Sequence, residues 1–185
     1  LGLCLDGDAD RVLLIDQNGK IADGDQVMAL IAKSWVAEGS LRKNTLVSTV
    51  MSNLAFEKFL KEIGVELIRT NVGDRHVSKK MVTGGFNLGG EQSGHIILSD
   101  FSSTGDGLIT SLQILSILKG SEKRASELLN SFEAFPQKIV NLDPKSCKDF
   151  LADGLIKKKL LRIENSIKES GRIIIRKSGT ENLIR

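Results

Sequence analysis

The chain has 185 residues, of which 41% are hydrophobic and 26% are charged, so it can bury a core as one large domain or two modest ones. Its 26 Lys and Arg residues against 23 Asp and Glu residues give a net charge of +3, too small for a nucleic-acid interface. No apolar run approaches the roughly 18 residues that span a bilayer. We therefore expect neither a nucleic-acid partner nor a membrane partner.

The first feature in chain order is an acidic loop between two short apolar segments, 1–5 and 12–15, which are predicted to be buried strands. The loop contains three acidic residues at alternate positions, followed by an arginine: Asp6, Asp8, Asp10 and Arg11. Two carboxylates about 4 Å apart repel by about 4 kcal/mol at an effective dielectric near 20. Three convergent carboxylates therefore favour a divalent cation, and oxygen ligands favour Mg²⁺, Mn²⁺ or Ca²⁺ over zinc. Arg11 suits a phosphate at the same place.

Two other interpretations stay open on this motif alone. The D-x-D-x-D pattern also opens a calcium-binding EF-hand loop, but that loop needs Gly at its sixth position and Glu at its twelfth. Here those positions are Arg11 and Gln17. The second alternative is a solvated acidic turn, because Asp and Gly are ordinary turn residues.

Helices and strands alternate through the middle of the chain. The helices are predicted at 26–33, 53–62, 74–82 and 104–118, and the strands at 45–50, 65–70, 86–88 and 95–98. Acidic residues precede the first helix, where they favour the helix N-terminus, and Asn53 is predicted to cap the second helix. This order predicts an α/β fold with a mixed or mostly parallel sheet covered by helices.

The pattern changes after residue 121, where a smaller α+β domain is predicted. A helix is predicted at 124–131, and the α+β domain after it would contain a strand at 135–142, a long helical stretch ending at residue 170 and a strand at 172–176. We predict three parts: the end of a preceding domain with the acidic loop (1–22), an α/β domain (23–132) and a partial α+β domain (133–185). Since the sequence begins inside a predicted strand without an initiator Met, we interpret it as a piece of a longer polypeptide.

The two cysteines indicate a reducing compartment. Cys4 and Cys147 lie far apart in sequence, Cys4 in a predicted core strand, and they show no metal-binding spacing. We therefore expect reduced thiols and a cytoplasmic location.

A glycine-rich loop follows the predicted strand at 86–88. Its polar side chains can hydrogen-bond a polyhydroxylated ligand, while its glycines allow close approach of the backbone: Glu91, Gln92, Ser93 and His95. The alternative is a hairpin turn with an incidental histidine. His76, upstream, is as consistent with a helix surface as with a ligand contact.

Near the C-terminus, a third loop combines backbone N–H groups, hydroxyls and cations directly after a predicted strand. It spans Arg176, Lys177, Ser178, Gly179, Thr180 and Glu181. Such a segment can form a phosphate-binding nest, although the spacing of a P-loop is absent. An ordinary surface turn is the alternative.

Together and in this order, the D-G-D-A-D-R, G-E-Q-S-G-H and R-K-S-G-T-E loops resemble those of the α-D-phosphohexomutase superfamily, and residues 72–75, 104–107 and 135–137 extend the resemblance. It implies a four-domain enzyme in which a phosphoserine exchanges its phosphoryl group with a phosphosugar. Asp6, Asp8 and Asp10 would bind Mg²⁺ and Arg11 would neutralise the transferring group. Glu91, Ser93 and His95 would contact the sugar, and Arg176, Ser178, Gly179 and Thr180 would hold the other phosphate.

The resemblance also implies the reaction, the interconversion of glucosamine 6-phosphate and glucosamine 1-phosphate through a bisphosphorylated sugar. Mannose or glucose phosphates are alternative substrates, and a non-catalytic phosphosugar-binding module is the alternative from another class. The family's Ser-His-Asn-Pro nucleophile segment does not occur in these residues. We therefore expect the isolated chain to be inactive, to depend on missing domains of the same polypeptide, and to self-associate through the surface that those domains cover.

Two residues depart from the family's pattern. Asn182 stands where Pro is usual, and His76 stands where Tyr is common. Neither departure removes a charged ligand, but the first would loosen the phosphate loop.

Overall fold

The computed structural model describes residues 1–143, 153–167, 171–176 and 183–185. The chain forms two compact units, Leu1–Phe135 and Pro136–Arg185. The first unit is an α/β structure with two sheets and five α-helices among its residues, as predicted. The division of the chain at residues 22 and 132 stays a prediction.

The first sheet is a small antiparallel one that carries the acidic loop. Its strands are β1 (Gly2–Leu5), β2 (Val12–Ile15) and β3 (Ile21–Ala22), in that order. Leu5 pairs with Val12 at the end of the β1–β2 ladder, so residues 6–11 form the hairpin connection. The predicted strand-loop-strand arrangement of the carboxylates is confirmed.

The prediction that both flanking strands are buried is wrong for β1. Leu1, Leu3 and Leu5 are 45%, 42% and 44% exposed, whereas Val12 and Leu14 on β2 are fully buried. The reason is that β1 is the edge strand of its sheet, and its leucines are left largely uncovered by the described part of the chain. Cys4, placed in the core by the sequence, is exposed for the same reason.

The second sheet is the mixed sheet that the sequence predicts. Its strand order is β5-β4-β6-β7, with β4 at Thr45–Thr49, β5 at Glu66–Thr70, β6 at Leu88–Gly90 and β7 at Ile96–Leu98. Strand β4 runs parallel to β5 and β6, and β6 runs antiparallel to β7. Because β6 and β7 form a hairpin, the glycine-rich loop lies at the end of this sheet.

Helix α1 (Gly24–Glu38) is the central helix of the first unit. Val27, Met28 and Ile31 are fully buried, as expected for a helix with apolar residues on most of its surface. The Asp23 carboxylate caps it by accepting a hydrogen bond from the Gln26 N–H at 3.1 Å. The helix is longer than predicted, since its last turns continue to a left-handed Gly39.

The other helices of the first unit surround α1 and the mixed sheet: α2 (Leu54–Glu62), α3 (Asp74–Gly84), α4 (Gly107–Lys119) and α5 (Ala125–Leu128). Asn53 caps α2 as predicted, accepting from the Ala55 N–H at 2.9 Å. The last helix is shorter than the predicted 124–131, because α5 ends after one turn.

The second unit contains helix α6 (Gly154–Ile167) and an isolated antiparallel bridge between Leu142 and Ile184. The predicted strands at 135–142 and 172–176 are not formed as regular strands. Within the described residues, their backbone pairs at the Leu142–Ile184 bridge and in the reciprocal pair between Arg176 and Arg185 at 2.8 Å. No helix in the described ranges is long and apolar enough to cross a membrane.

Candidate metal centre and adjoining loop

The acidic loop brings three carboxylates together. One oxygen from each of Asp6, Asp8 and Asp10 lies within 4.8 Å of the other two. Oδ1 of Asp10 is buried and makes no hydrogen bond to any described residue. Three hard oxygen donors this close together, with Oδ1 of Asp10 contacted among the described residues only by the 3.5 Å ion pair with Arg11, fit a divalent cation of the Mg²⁺ class. The residues present therefore match the metal that the sequence predicts.

Arg11 partly balances this negative charge. Its Nε lies 2.7 Å from Oδ2 of Asp6 and 3.5 Å from Oδ1 of Asp10, and its side chain is 51% exposed. Burial raises the pKa of the Asp6 carboxyl, but the backbone and side-chain hydrogen bonds from Arg11 and its charge outweigh that effect, so this pKa is lowered. The pKa of Arg11 is raised, mainly by its hydrogen bond to Asp6. Both groups are therefore held in their charged forms.

The loop also has a fixed backbone conformation. Ala9 has a φ of +57°, which is unusual for a residue with a Cβ. Its carbonyl accepts a hydrogen bond from the N–H of Gly107 at 2.8 Å, at the first residue of α4. The start of α4 therefore anchors the middle of the acidic loop.

The glycine-rich loop is a tight hairpin. The Glu91 N–H donates to the His95 carbonyl at 2.9 Å, and the Gly94 N–H donates to the Glu91 carbonyl at 3.0 Å. The Glu91 carboxylate accepts from the Gly73 N–H at 3.0 Å, so the loop also contacts the start of α3. Ser93 is exposed at the tip of the hairpin.

The structure joins the acidic loop to the glycine-rich loop directly. The Val12 N–H donates to the Gly94 carbonyl at 3.1 Å, and Arg11 forms an antiparallel bridge with His95. Nδ1 of His95 lies 3.0 Å from Oδ2 of Asp10. Residues about 85 positions apart in sequence are thus in direct contact.

His95 is held in a narrow slot. The residue is 5% exposed, and a Cβ on Gly105 would lie 2.4 Å from its Nε2. Its Nε2 makes no hydrogen bond to a described residue. Because only Nδ1 has a polar partner there, the imidazole orients Asp10. If Asp10 is a metal ligand, such an outer contact would hold it in position.

The N-terminus of α1 holds the glycine-rich loop from the other side. The Gly24 N–H donates to the Gln92 carbonyl at 3.0 Å, and Nε2 of Gln92 donates to Oδ2 of Asp23 at 3.0 Å. A Cβ on Gly24 would lie 2.1 Å from the Glu91 carbonyl oxygen. Only glycine permits this approach.

The third predicted loop belongs to the second unit. Arg176 is described there, with its backbone paired to Arg185. Ser178, Gly179 and Thr180, together with Asn182, lie outside the described residues. Their predicted role in phosphate binding stays a prediction.

Residues 23–135 match the family model described as phosphoglucomutase/phosphomannomutase, alpha/beta/alpha domain III. The chain belongs to this family. The matched region contains the mixed sheet, the glycine-rich loop and Gly105, whereas the three carboxylates precede it.

Curated relatives of the chain include two phosphoglucosamine mutases. The one from Roseobacter denitrificans is 52% identical to the chain, and the one from Paracoccus denitrificans is 53% identical. Each alignment covers the whole chain and 41% of the relative. The chain thus spans about two fifths of the length of these proteins.

Solved structures share the fold of this family member. A phosphoglucomutase/phosphomannomutase family protein from Burkholderia thailandensis has a TM-score of 0.78 at 21% identity, covering 99% of this chain and 41% of that one. The Aspergillus fumigatus N-acetylphosphoglucosamine mutase in complex with GlcNAc-6P and magnesium has a TM-score of 0.75 at 21% identity, covering 98% and 43%. At these identities the comparison establishes the α/β architecture.

Sequence reasoning missed three positions of this domain III that support the site. Gly24 and Asp23 clamp the glycine-rich loop, and Gly105 makes room for His95. The signal that could have found them is the glycine at or just before a helix start, Gly24 in D-G-D at the first residue of α1 and Gly105 in T-G-D-G two residues before α4. A glycine there is neither a good helix former nor a cap of first choice, which indicates a close backbone approach.

Proposed function

We propose that the polypeptide containing this chain is a phosphosugar mutase that interconverts glucosamine 6-phosphate and glucosamine 1-phosphate. The observation that carries the proposal is the direct contact between the acidic loop and the glycine-rich loop through Asp10 and His95. Family membership and the names of the 52–53% identical relatives support the choice of reaction. We further propose that transfer uses a phosphoserine and a bisphosphorylated intermediate.

In this proposal each described residue has a separate task. Asp6, Asp8 and Asp10 would hold Mg²⁺, which supplies charge stabilisation to a phosphoryl group when bound. Arg11, fixed through Nε by Asp6, presents its half-exposed guanidinium to the same phosphate. Such transfers depend mainly on positioning and charge.

The glycine-rich loop would contact the sugar. Ser93 is exposed at the hairpin tip. One oxygen of the half-buried Glu91 carboxylate accepts a hydrogen bond from the Gly73 N–H, which fixes the direction of the other oxygen. We assign His95 to the orientation of Asp10, because its imidazole is buried against Gly105. Arg176, Ser178, Gly179 and Thr180 are proposed to bind the phosphate that is not transferred.

The test is a comparison of the full-length polypeptide with the isolated 185-residue chain. We expect the full-length protein to interconvert the two glucosamine phosphates with Mg²⁺ faster than the glucose or mannose phosphates, and the isolated chain to show no turnover. A coupled assay on each sugar, with phosphosite mapping, measures this. Turnover by the isolated chain, or metabolite binding by a full-length protein that is never phosphorylated, would contradict the proposal.

A second prediction concerns His95. We expect His95→Ala to weaken Mn²⁺ or Mg²⁺ binding by about 10-fold or more, because loss of an outer hydrogen bond typically costs 10- to 100-fold in metal affinity. His95→Asn, whose amide can replace the Nδ1–H donor, should restore part of the loss. Titration calorimetry measures both.

The matched control is the only other histidine, His76, which is exposed on α3. His76→Ala should leave metal affinity unchanged. Equal affinities for His95→Ala and the unmodified protein would remove His95 from the metal centre.

A further inference from the structure

The last residues of the first unit, 131–135, form a short segment that we call the tether. The tether contains none of the described helices or strands, and the chain enters the second unit directly after it, at Pro136. Since no described helix or ladder includes the tether, its position depends on side-chain contacts. Two buried amides and an aromatic cluster supply them.

Gln26, in the first turn of α1, binds the beginning of the tether. Its Nε2 donates to the Phe132 carbonyl at 2.8 Å, and its Oε1 accepts from the Ser131 N–H at 3.0 Å. The residue is buried, with 9% of its surface exposed. A side-chain amide has the same donor and acceptor as a peptide group. Gln26 therefore takes the place that a neighbouring strand has in a sheet.

Asn53 binds the end of the tether in the same way. Its Nδ2 donates to the Phe135 carbonyl at 2.9 Å, and its Oδ1 accepts from the Phe135 N–H at 3.1 Å. The Asn53 N–H donates to Oδ2 of Asp25 at 2.7 Å, which joins this residue to α1. Asn53 is 3% exposed. Leaving a buried amide without its partners is costly, so both amides favour the observed position of the tether.

Aromatic contacts with α2 add to these hydrogen bonds. The Phe132 ring is stacked on the buried Phe56 ring, with the centroids 5.8 Å apart, and its centroid lies 6.0 Å from that of Phe59. Nζ of Lys58 lies 4.8 Å from the centroid of the Phe135 ring, within the range of a cation–π interaction. The tether is thus packed on α2 as well as hydrogen-bonded to the start of α1.

The same start of α1 also binds the glycine-rich loop. Asp23 and Gly24 are hydrogen-bonded to Gln92, and Gln26, two residues later, is hydrogen-bonded to the tether. One helical turn therefore fixes both the loop that is proposed to contact the sugar and the residues to which the second unit is attached.

We propose that Gln26 and Asn53 are positioning residues for substrate binding: their amides fix the tether, and with it the attachment point of the second unit, to the helix start that binds the glycine-rich loop. The fixing of the tether rests on the contacts above. The consequence for the substrate rests on the proposed function, in which Arg176 and the residues after it bind the phosphate that is not transferred. A ligand bound by two connected parts loses affinity when their connection becomes loose, because the effective concentration of the second part falls.

Gln26→Met in the full-length polypeptide tests the proposal. Met has a similar length and fills the buried position, but it lacks the amide. We expect hydrogen–deuterium exchange of residues 131–135 to rise about five-fold, the equivalent of one hydrogen bond. Exchange of residues 90–95 should stay unchanged, since Asp23 and Gly24 still bind that hairpin.

The kinetic expectation for Gln26→Met is a KM for the sugar phosphate that is about three- to ten-fold higher, with kcat changed less than about two-fold. This split is expected when the ground state and the transition state lose the same binding. A general loss of structure would instead lower the amount of active enzyme and therefore the apparent kcat.

Gln17 provides the matched control. Its Nε2 donates to Oγ of Ser126 at 2.6 Å and its Oε1 accepts from the Ser126 N–H at 3.1 Å, so Gln17→Met removes a similar pair of hydrogen bonds outside the tether. It should change neither exchange of the tether nor KM.

Asn53→Asp interrupts the other end of the tether. Asp is as good an N-cap as Asn, so α2 keeps its cap, but the carboxylate cannot donate to the Phe135 carbonyl. This variant should change exchange and KM in the same direction as Gln26→Met, and it answers the same question if Gln26→Met does not fold.

The proposal is overturned if neither variant raises exchange of the tether, or if Gln17→Met raises it equally. Faster exchange of the tether with an unchanged KM would also overturn it, because the tether would then have no part in substrate binding. The exchange measurement uses no sugar phosphate, so it is separate from the mutase assay. Absence of turnover in the unmodified full-length protein would contradict the mutase proposal, and exchange alone would then decide whether the two amides fix the tether.

Discussion

Substitution of Gly24 by Ala is expected to lower the free energy of unfolding by about 2 to 3 kcal/mol and to displace the glycine-rich loop. The added Cβ would lie 2.1 Å from the Glu91 carbonyl oxygen and 2.9 Å from the Gly94 backbone nitrogen. Both are main-chain atoms, so no side-chain rotation can relieve the overlap. Either α1 or the hairpin must shift, and the Gly24–Gln92 hydrogen bond is lost with it.

Gly154 provides the matched control. It is also the first residue of a helix, α6, and a Cβ there would have no atom of a described residue within 4 Å. Gly154→Ala should therefore be neutral, or stabilise by up to about 1 kcal/mol through helix propensity. Urea unfolding of both variants measures the difference, and similar losses in the two would show that the close contact at Gly24 is unimportant.

Asp10→Asn is expected to weaken divalent-metal binding by more than about 100-fold, because it removes a charged ligand where loss of an outer partner alone costs 10- to 100-fold. Asp10 is also the residue through which the acidic loop contacts His95, with Oδ2 of Asp10 3.0 Å from Nδ1 of His95. The substitution therefore affects both the ligand set and its support. The turnover of the full-length protein should fall with metal affinity.

The control for Asp10 is Asp16, at the other end of β2. Its carboxylate accepts from the Asn18 and Lys20 N–H groups at 2.8 and 2.9 Å, and mainly these bonds lower its pKa. Asp16→Asn should leave metal affinity unchanged while weakening the turn. Calorimetry with Mn²⁺ on both variants decides: equal affinities would exclude the acidic loop as the metal centre.

Local sequence patterns predicted the parts of the site well. Alternating carboxylates between two apolar segments predicted a hairpin loop, and Leu5 pairs with Val12 as that requires. Asn53 predicted the start of α2, which it caps. The alternating order of helices and strands predicted the mixed sheet. These features depend on neighbours in sequence, where spacing carries the physical information.

The assembly of the site could not be predicted in this way. The contact between Asp10 and His95 joins residues 85 positions apart, and no periodicity encodes such a distance. The prediction that β1 is buried was wrong for a related reason. An apolar segment becomes buried only if another element covers it, and Leu3 stays 42% exposed. Among the described residues, the predicted strand at 135–142 forms only the bridge between Leu142 and Ile184.

The backbone link between Val12 and Gly94 has a consequence for engineering substrate preference. Transplanting a hairpin from a relative with a different sugar would also change the support of Asp10, since His95 belongs to the transplanted segment. Chimaeras should therefore exchange residues 6–11 and 90–95 as one cassette and retain Gly24 and Gly105. Exchange of the hairpin alone would confound altered selectivity with a damaged cation site.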